Sequence, residues 1–274
     1  MAAPQPAAGP GLHPLNRDFV WRERTAPPRR LTREQQSRFN EQGFVRLEGL
    51  FSPDEIAAVT AAIDPWEAKG EARLREAGGT ILISTADVIT FTVHLVRRSA
   101  VLKAFAAHPA IVDVCHDLMG DDVRLYWDQS VYKKTGKVQE FPWHQDNGYT
   151  FIEPQQYLTL WLPLVDVDEQ NGCPWIAPGL HRLGTLNHWP TRIGLKCLDD
   201  APDAVPVPAR GGDAIVFSSL SPHRTGPNLK TGSVRKAYIL QYCFDGSIAT
   251  RDGVRTPQDD PERQFKILER GRAV

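Results

Sequence analysis

The stretch VRLYWDQSVYK, residues 123–133, marks a change in the character of the sequence. From here on, short runs of β-branched and aromatic residues are separated by Gly, Pro, Asn and Asp, which is typical of strands joined by turns. Further runs of this kind occupy residues 156–165, 174–177, 213–217 and 235–244. Many short strands without a solenoid repeat predict a β-sandwich or a β-barrel.

The residues before this stretch predict helices. Thr32 begins a capping box, and Ser52 caps a second helix that has proline at its first helical position. We expect Pro65 to end this second helix, because proline lacks the backbone donor that a helix interior requires. The predicted helices are residues 31–41, 52–63 and 109–119.

These patterns predict one main domain after an N-terminal arm. Residues 1–30 are rich in proline and are expected to be extended or disordered. Residues 31–274 are expected to form a single domain, helical to about residue 120, with a β-barrel core at about 123–245. The stretches 70–97 and 184–210 show no clear period and are candidate lids. The polar C-terminal tail is expected to be a loop, with a terminal helix as an alternative.

Composition excludes several classes of protein. The 274 residues carry 32 Lys and Arg against 33 Asp and Glu, so the formal net charge is -1. This balance predicts no nucleic-acid or membrane partner and favours a small-molecule substrate. The four cysteines form no CxxC pair, which argues against a zinc ribbon or a disulfide framework and predicts a reducing, cytoplasmic location. The oligomeric state is left open.

The segment FPWHQD, residues 141–146, carries the most distinctive chemistry. In an extended segment, residues two apart point to one face, so His144 and Asp146 are predicted to lie side by side. His223 is the candidate third ligand, and two histidines with one carboxylate form the ligand set of non-haem Fe(II) oxygenases. The alternative is a core or surface histidine that is hydrogen-bonded to Asp146.

A second candidate site lies twelve residues after His223. Arg235 opens an apolar strand, and its guanidinium group is predicted to bind a carboxylate through two parallel hydrogen bonds. The alternative is a structural ion pair with an Asp or Glu. Aromatic side chains near the HxD segment are candidate substrate contacts, with core packing as the alternative; these are Trp143, Tyr149, Phe151 and Phe91.

Four motifs over about residues 123–245 resemble the phytanoyl-CoA dioxygenase-like family of Fe(II)/2-oxoglutarate oxygenases. They are WHQDNGY (143–149), LWLPL (160–164) continuing to NGC (171–173), PGLHR (178–182), and the segment from GDA (212–214) through His223 to Arg235. The resemblance implies a mainly β protein with buttressing helices, built on a double-stranded β-helix (a cupin-like jelly roll).

The resemblance also implies roles for individual residues. His144, Asp146 and His223 would hold Fe(II), and Arg235 would bind the distal carboxylate of 2-oxoglutarate. Three further positions would contact this cosubstrate: Gln129, Trp161 and Thr225. The implied reaction is the O2-dependent oxidation of a small organic metabolite, with release of succinate and CO2. Two alternatives are a divalent-metal hydrolase that uses the same three ligands and a non-catalytic β-barrel binding protein.

Overall fold

The computed structural model describes residues 10–135 and 140–274. Within them, the α-helices are α1 Arg33–Gln42, α2 Pro53–Glu76, α3 Ala100–Ala106 and α4 Pro109–Leu118. Single 3-10 turns cover Leu95–Arg97, Asp146–Gly148 and Leu180–Leu183. In this described part, no helix has the length and apolar character needed to cross a membrane.

The strands dominate the rest of the chain. In chain order they are β1 Phe44–Leu47, β2 Thr80–Ile81, β3 Ser84–Thr85, β4 Ile89–Val93, β5 Val123–Lys134, β6 Phe141–His144, β7 Phe151–Glu153, β8 Leu158–Pro163, β9 Pro174–Ile176, β10 Trp189–Thr191, β11 Gly194–Lys196, β12 Val205–Pro206, β13 Ala214–Ser218, β14 His223–Thr225, β15 Val234–Phe244, β16 Ile248–Arg251, β17 Val254–Pro257, β18 Lys266–Glu269 and β19 Arg272–Ala273.

Two antiparallel sheets form the β-helix. The larger sheet has the order β1-β13-β8-β15-β5-β4-β3-β2, and β18 also pairs with β5. The smaller sheet has the order β12-β9-β14-β6. Side chains of both sheets meet in one buried cluster that contains Val131, Trp161 and Ile239 from the larger sheet and Ile176 from the smaller. The predicted jelly roll is confirmed.

The helices cover the outer face of the larger sheet. Successive side chains of a strand point to opposite faces, so Leu160 of β8 packs with the helices while Trp161 points into the barrel. Ile63 of α2 and Ile111 of α4 are fully buried in this outer layer. Because both faces of the sheet are covered, its central strands are almost continuously buried.

The prediction that α2 ends near Ile63 was wrong. The helix continues through Pro65 to Glu76. An interior proline destabilises a helix by roughly 3 kcal/mol. Here α2 is anchored on both sides of the proline, since Ile63 before it and Leu74 after it are both buried. Burying a large aliphatic side chain contributes about 1.5–3 kcal/mol, which offsets this cost.

Strands from outside residues 123–245 complete the larger sheet. The unassigned stretch 70–97 contains the end of α2 and then β2 to β4, and β4 pairs with β5 over its whole length. At the C-terminus the structure shows the hairpin β18–β19 instead of a terminal helix. Ile267 and Leu268 are both fully buried, and this burial favours a strand that pairs with β5.

The expected N-terminal arm lies only partly within the described residues. Residues 1–9 fall outside them, and residues 10–30 contain no helix or ladder strand. Leu12 forms an isolated bridge with Leu186, and Asn16 is buried. The described part of the arm is therefore packed against the domain.

Candidate active site

His144 and His223 face each other across neighbouring strands. The register of β6 and β14 pairs the two residues directly, and their ring centroids lie 4.1 Å apart. Asp146 Oδ1 lies 3.9 Å from Nε2 of each histidine. Both histidines are buried. Among the described residues, no other group of three His, Cys, Asp or Glu side chains brings ligand atoms this close together.

His144 and Asp146 lie side by side, and Gln145 between them has the extended backbone that the sequence predicted, with φ -109° and ψ 142°. Strand β6 ends at His144, and Asp146 opens a 3-10 turn that runs to Gly148. A Cβ atom on Gly148 would overlap the ring of His188, so this turn requires glycine. The extended residue between the two ligands, followed by this turn, brings the carboxylate to the two imidazoles.

Backbone carbonyls set the tautomer of both histidines. Nδ1 of His144 donates to Pro142 O at 2.8 Å, and Nδ1 of His223 donates to Ser221 O at 3.0 Å. A carbonyl can only accept, so Nε2 of each ring presents a lone pair to the space beside Asp146. Burial, with a smaller contribution from His223, holds the pKa of His144 well below its ordinary value and keeps it neutral.

The carboxylate is oriented in a similar way. Thr159 donates its hydroxyl proton to Asp146 Oδ2 at 2.5 Å, which leaves Oδ1 directed at the histidines. Metal ligands are commonly held by such outer hydrogen bonds, which fix their orientation. Two imidazole nitrogens and one carboxylate oxygen match the donor set of non-haem Fe(II) oxygenases. The residues therefore fit the predicted ion.

Arg235 is a buried cation that has no acidic partner among the described residues. It is 1% exposed, and its Cζ lies 5.4 Å from the ring centroid of Trp161. Nη1 donates to Val131 O at 3.2 Å, while Nε has no partner in the part of the chain that the structure describes. Burial lowers the pKa of Arg235 to about 9. A buried charge without a counterion is unfavourable, so the site favours an anionic ligand.

Lys133 is a second buried cation, which the sequence analysis missed. It lies directly opposite Arg235 in the register of β5 and β15 and is 2% exposed. Its Nζ donates to Thr225 O at 2.9 Å, Thr225 Oγ1 at 2.8 Å and Gly226 O at 2.7 Å, all of them neutral oxygens. Burial and then Arg235 lower its pKa well below the ordinary value. The sequence signal for this residue was a lysine at an inward-facing position of β5, a strand whose other residues are mostly buried.

The remaining candidate cosubstrate residues also face the barrel interior. Trp161 lies between Ile215 and Ile239 on adjacent strands, beside Arg235. Gln129 lies four residues before Lys133 on β5, so both point to the same face, and its Oε1 accepts from Trp127 Nε1 at 3.2 Å. Thr225 ends β14 and is held by Lys133. The structure thus brings Thr225 and Trp161 into contact with the two buried cations.

Comparisons with known proteins give the family. Residues 39–237 match the model of the family Phytanoyl-CoA dioxygenase (PhyH). The chain belongs to the phytanoyl-CoA dioxygenase family. Over 220 residues it is 29% identical to the methylphosphonate hydroxylase of Gimesia maris, covering 77% of this chain and 80% of that enzyme.

Two further relatives are named after ectoine. The ectoine dioxygenase of Bordetella bronchiseptica is 28% identical over 161 residues, which are 56% of this chain and half of that enzyme. The crystal structure of EctD from S. alaskensis with 2-oxoglutarate and 5-hydroxyectoine has a TM-score of 0.67 at 23% identity and covers 89% of this chain and 85% of EctD. At this identity the likeness shows the fold.

Family membership and the site together give the cofactors. The phytanoyl-CoA dioxygenase family member described here is an iron- and 2-oxoglutarate-dependent dioxygenase that consumes O2.

Two of the four candidate substrate contacts lie at the metal side of the barrel. The ring centroid of Tyr149 is 5.5 Å from that of His144. Phe91 lies 5.8 Å from Phe141, whose ring is 4.8 Å from His144. Tyr149 and Phe141 each pack nearly perpendicular to the His144 ring, and with Phe91 they form an apolar wall beside the metal ligands.

The other two candidates have packing roles. Trp143 precedes His144 on β6, and Arg224 lies 5.4 Å from its ring centroid beside an outer cavity of about 300 Å³. Phe151 is 4% exposed, and its ring stacks on His13 at 4.9 Å. The contact with Arg224, which follows His223 on β14 and points to the opposite face, places Trp143 away from the metal ligands, and His13 covers Phe151.

The hairpin β10–β11 covers the aromatic wall. The backbone N–H of Leu195 donates to the Tyr149 hydroxyl oxygen at 3.0 Å, and the backbone N–H of Cys197, next to the hairpin, donates to Trp143 O at 2.8 Å. Gly194 has φ +116°, and a Cβ atom there would overlap the Tyr149 hydroxyl oxygen. This hairpin is the part of the predicted 184–210 lid that contacts the wall.

Proposed function

We propose that this protein oxidises a C–H bond of a small organic metabolite, with 2-oxoglutarate and O2 as cosubstrates and with succinate and CO2 as coproducts. One observation carries the proposal. Three metal-ligand atoms converge at one end of a barrel whose interior also holds a buried arginine without an acidic partner in the described residues. A chelating 2-oxo acid with a second carboxylate satisfies both features at once.

The proposed residue roles divide the site in two. His144, Asp146 and His223 hold the iron, which when bound with 2-oxoglutarate supplies the oxidising power for attack on a C–H bond. Arg235 binds the distal carboxylate, assisted by Lys133 through Thr225. A guanidinium–carboxylate pair is stronger in a buried, low-dielectric site than in water.

The remaining residues position the substrate and exclude water. Tyr149 presents apolar ring surface next to His144, Phe91 adds ring surface through its contact with Phe141, and the hairpin β10–β11 closes over Tyr149. Since a short-lived oxidant must meet the target carbon at close range, the shape of this wall selects the bond that reacts. Neutral aromatic rings favour an apolar part of the substrate at this position.

The experiment is an anaerobic addition of Fe(II) and 2-oxoglutarate, followed by air. We expect a weak visible charge-transfer band and then succinate. Arg235→Ala should lose affinity for 2-oxoglutarate, while Lys236→Ala serves as the matched control, because Lys236 is the next residue on β15 and pairs with Asp64 on the outer face. An absent band in the wild type, together with unchanged 2-oxoglutarate affinity in Arg235→Ala, would remove the proposal.

The alternative functions account for less of the site. A divalent-metal hydrolase would use the same three ligands but gives no role to two buried cations, and it would turn over its substrate without O2. A non-catalytic binding protein would release no succinate in air. A cytoplasmic location stays a prediction, supported by four cysteines that are free and buried. The lack of a basic excess supports a small molecule, and not nucleic acid or a membrane, as the partner.

A further inference from the structure

A short N-terminal strap, residues 11–16, lies outside the region that matches the family. It runs along residues 183–188, here called the bridging segment. Asn187 donates its backbone N–H to Gly11 O at 2.7 Å, and His13 donates to Thr185 O at 2.9 Å. The strap is therefore paired with the bridging segment by main-chain hydrogen bonds.

Asn16 anchors this strap. Its Nδ2 donates to Leu183 O and to Thr185 O, both at 2.9 Å, and its Oδ1 accepts from Gln155 Nε2 at 3.1 Å. The side chain is buried. Gly184 has φ +75°, and a Cβ atom there would lie 2.7 Å from the Asn16 amide. The bridging segment is shaped to admit this side chain.

The opposite side of the bridging segment holds Gln145, which stands between two metal ligands in the sequence. Gln145 is fully buried, and its Nε2 donates to Gly184 O at 3.0 Å and to Leu220 O at 2.5 Å. Its Oε1 accepts from Leu186 N at 2.6 Å, and its own backbone N–H donates to His188 Nε2 at 3.0 Å. The bridging segment thus determines the position of the chain between His144 and Asp146.

Asn147, on the other side of Asp146, is fixed in the same way. Its Nδ2 donates to Thr185 Oγ1 at 2.7 Å, and its Oδ1 accepts from Ile152 N at 2.8 Å. Thr185 in turn donates its hydroxyl proton to Gln155 Oε1 at 2.8 Å. A continuous buried path therefore runs from Asn16 through Thr185 to Asn147, the neighbour of Asp146.

We propose that the N-terminal strap is part of the metal centre and that Asn16 is a positioning residue for Asp146, acting through Thr185 and Asn147. The inference rests on the metal site of the proposed function. Buried polar networks of this kind are rigid when every member is satisfied, and they lose that rigidity when one member is removed. Loss of Asn16 leaves two carbonyls of the bridging segment without their side-chain donor and loosens the turn that carries Asp146.

The test is the Co(II) affinity of the metal-free protein, measured by visible absorption against a competing chelator. Asn16→Ala should weaken Co(II) binding by about tenfold, the lower end of the range for outer partners of metal ligands. Arg17→Ala, at the exposed adjacent position, is the matched control and should leave affinity unchanged. Thr185→Val removes the hydroxyl group that binds Asn147 and so breaks the path at its next hydrogen bond. The double variant should bind Co(II) no more weakly than the single variant that has the lower affinity.

The outcomes separate this inference from the proposed function. Wild-type protein that binds no Co(II) would overturn the metal site itself. Wild-type affinity in a folded Asn16→Ala protein would overturn only the role of the strap. A merely structural strap would lower the melting temperature of the metal-free variant without reducing its stabilisation by Co(II). Should Asn16→Ala not fold, unchanged Co(II) affinity in Thr185→Val alone would overturn the path.

Discussion

Replacement of Lys133 by methionine should weaken 2-oxoglutarate binding far more than binding of a 2-oxo acid that lacks the distal carboxylate. Nζ of Lys133 lies 2.8 Å from Oγ1 of Thr225 and occupies a lone pair of that oxygen. The hydroxyl proton of Thr225 is then free to donate to a carboxylate beside Arg235. Methionine keeps the length of the side chain and removes the ammonium group.

The magnitude follows from the geometry. One further hydrogen bond of about 2.8 Å, bent at Thr225 Oγ1, places the carboxylate oxygen roughly 5 Å from Nζ. Two unit charges at this separation interact by about 3 kcal/mol at an effective dielectric constant of 20, or ~100-fold in affinity. The pKa of Lys133 is lowered by burial and by Arg235, so ~100-fold is the upper value. The hydrogen bond through Thr225 alone is worth about tenfold.

Titration calorimetry of the Ni(II)-loaded protein measures the effect, with 2-oxopentanoate as the acid that lacks the distal carboxylate. Lys134→Met is the matched control, because Lys134 is the next residue on β5 and pairs with Glu71 at 3.0 Å on the other face. The reasoning is refuted if Lys133→Met loses affinity for both acids equally, since that result would show a general loosening of the barrel. Unchanged affinity for both acids would refute it as well.

Three other changes test separate parts of the structure. Asp146→Ala should abolish metal binding but leave the melting temperature of the metal-free protein nearly unchanged, because this side chain is only part-buried; global unfolding would contradict the ligand role. Tyr149→Phe removes the acceptor for the Leu195 amide, so hydrogen exchange at Leu195 should accelerate about tenfold, whereas an unchanged rate would show that the hairpin is held elsewhere. Burial raises the pKa of Asp128 from 3.8 to about 6. The folded state then binds the extra proton between these values, so stability should fall by about 3 kcal/mol as pH rises from 4 to 6. Asp128→Asn should flatten that part of a denaturation series, and a persistent slope would assign it to another group.

Much of the fold could be predicted because its signals are local. The capping boxes at Thr32 and Ser52 are both present, and the runs of β-branched residues after residue 123 became the central strands. The end of α2 could not be predicted in this way. Pro65 opposes the helix locally, and burial of Ile63 and Leu74 on either side of it outweighs this effect.

The candidate site, too, could be predicted only where its signals are local. By itself, the sequence determined the kinds of ligand, since an HxD, a distant His223 and Arg235 at the start of an apolar strand suit a metal and a diacid. Only the tertiary structure placed Lys133 opposite Arg235, turned Trp143 away from the metal and packed the N-terminal strap behind Asp146. Residue type sets which bonds a side chain can form. Which partner it meets depends on strand register and on contacts between residues that lie more than a hundred positions apart in the sequence. No local pattern encodes these.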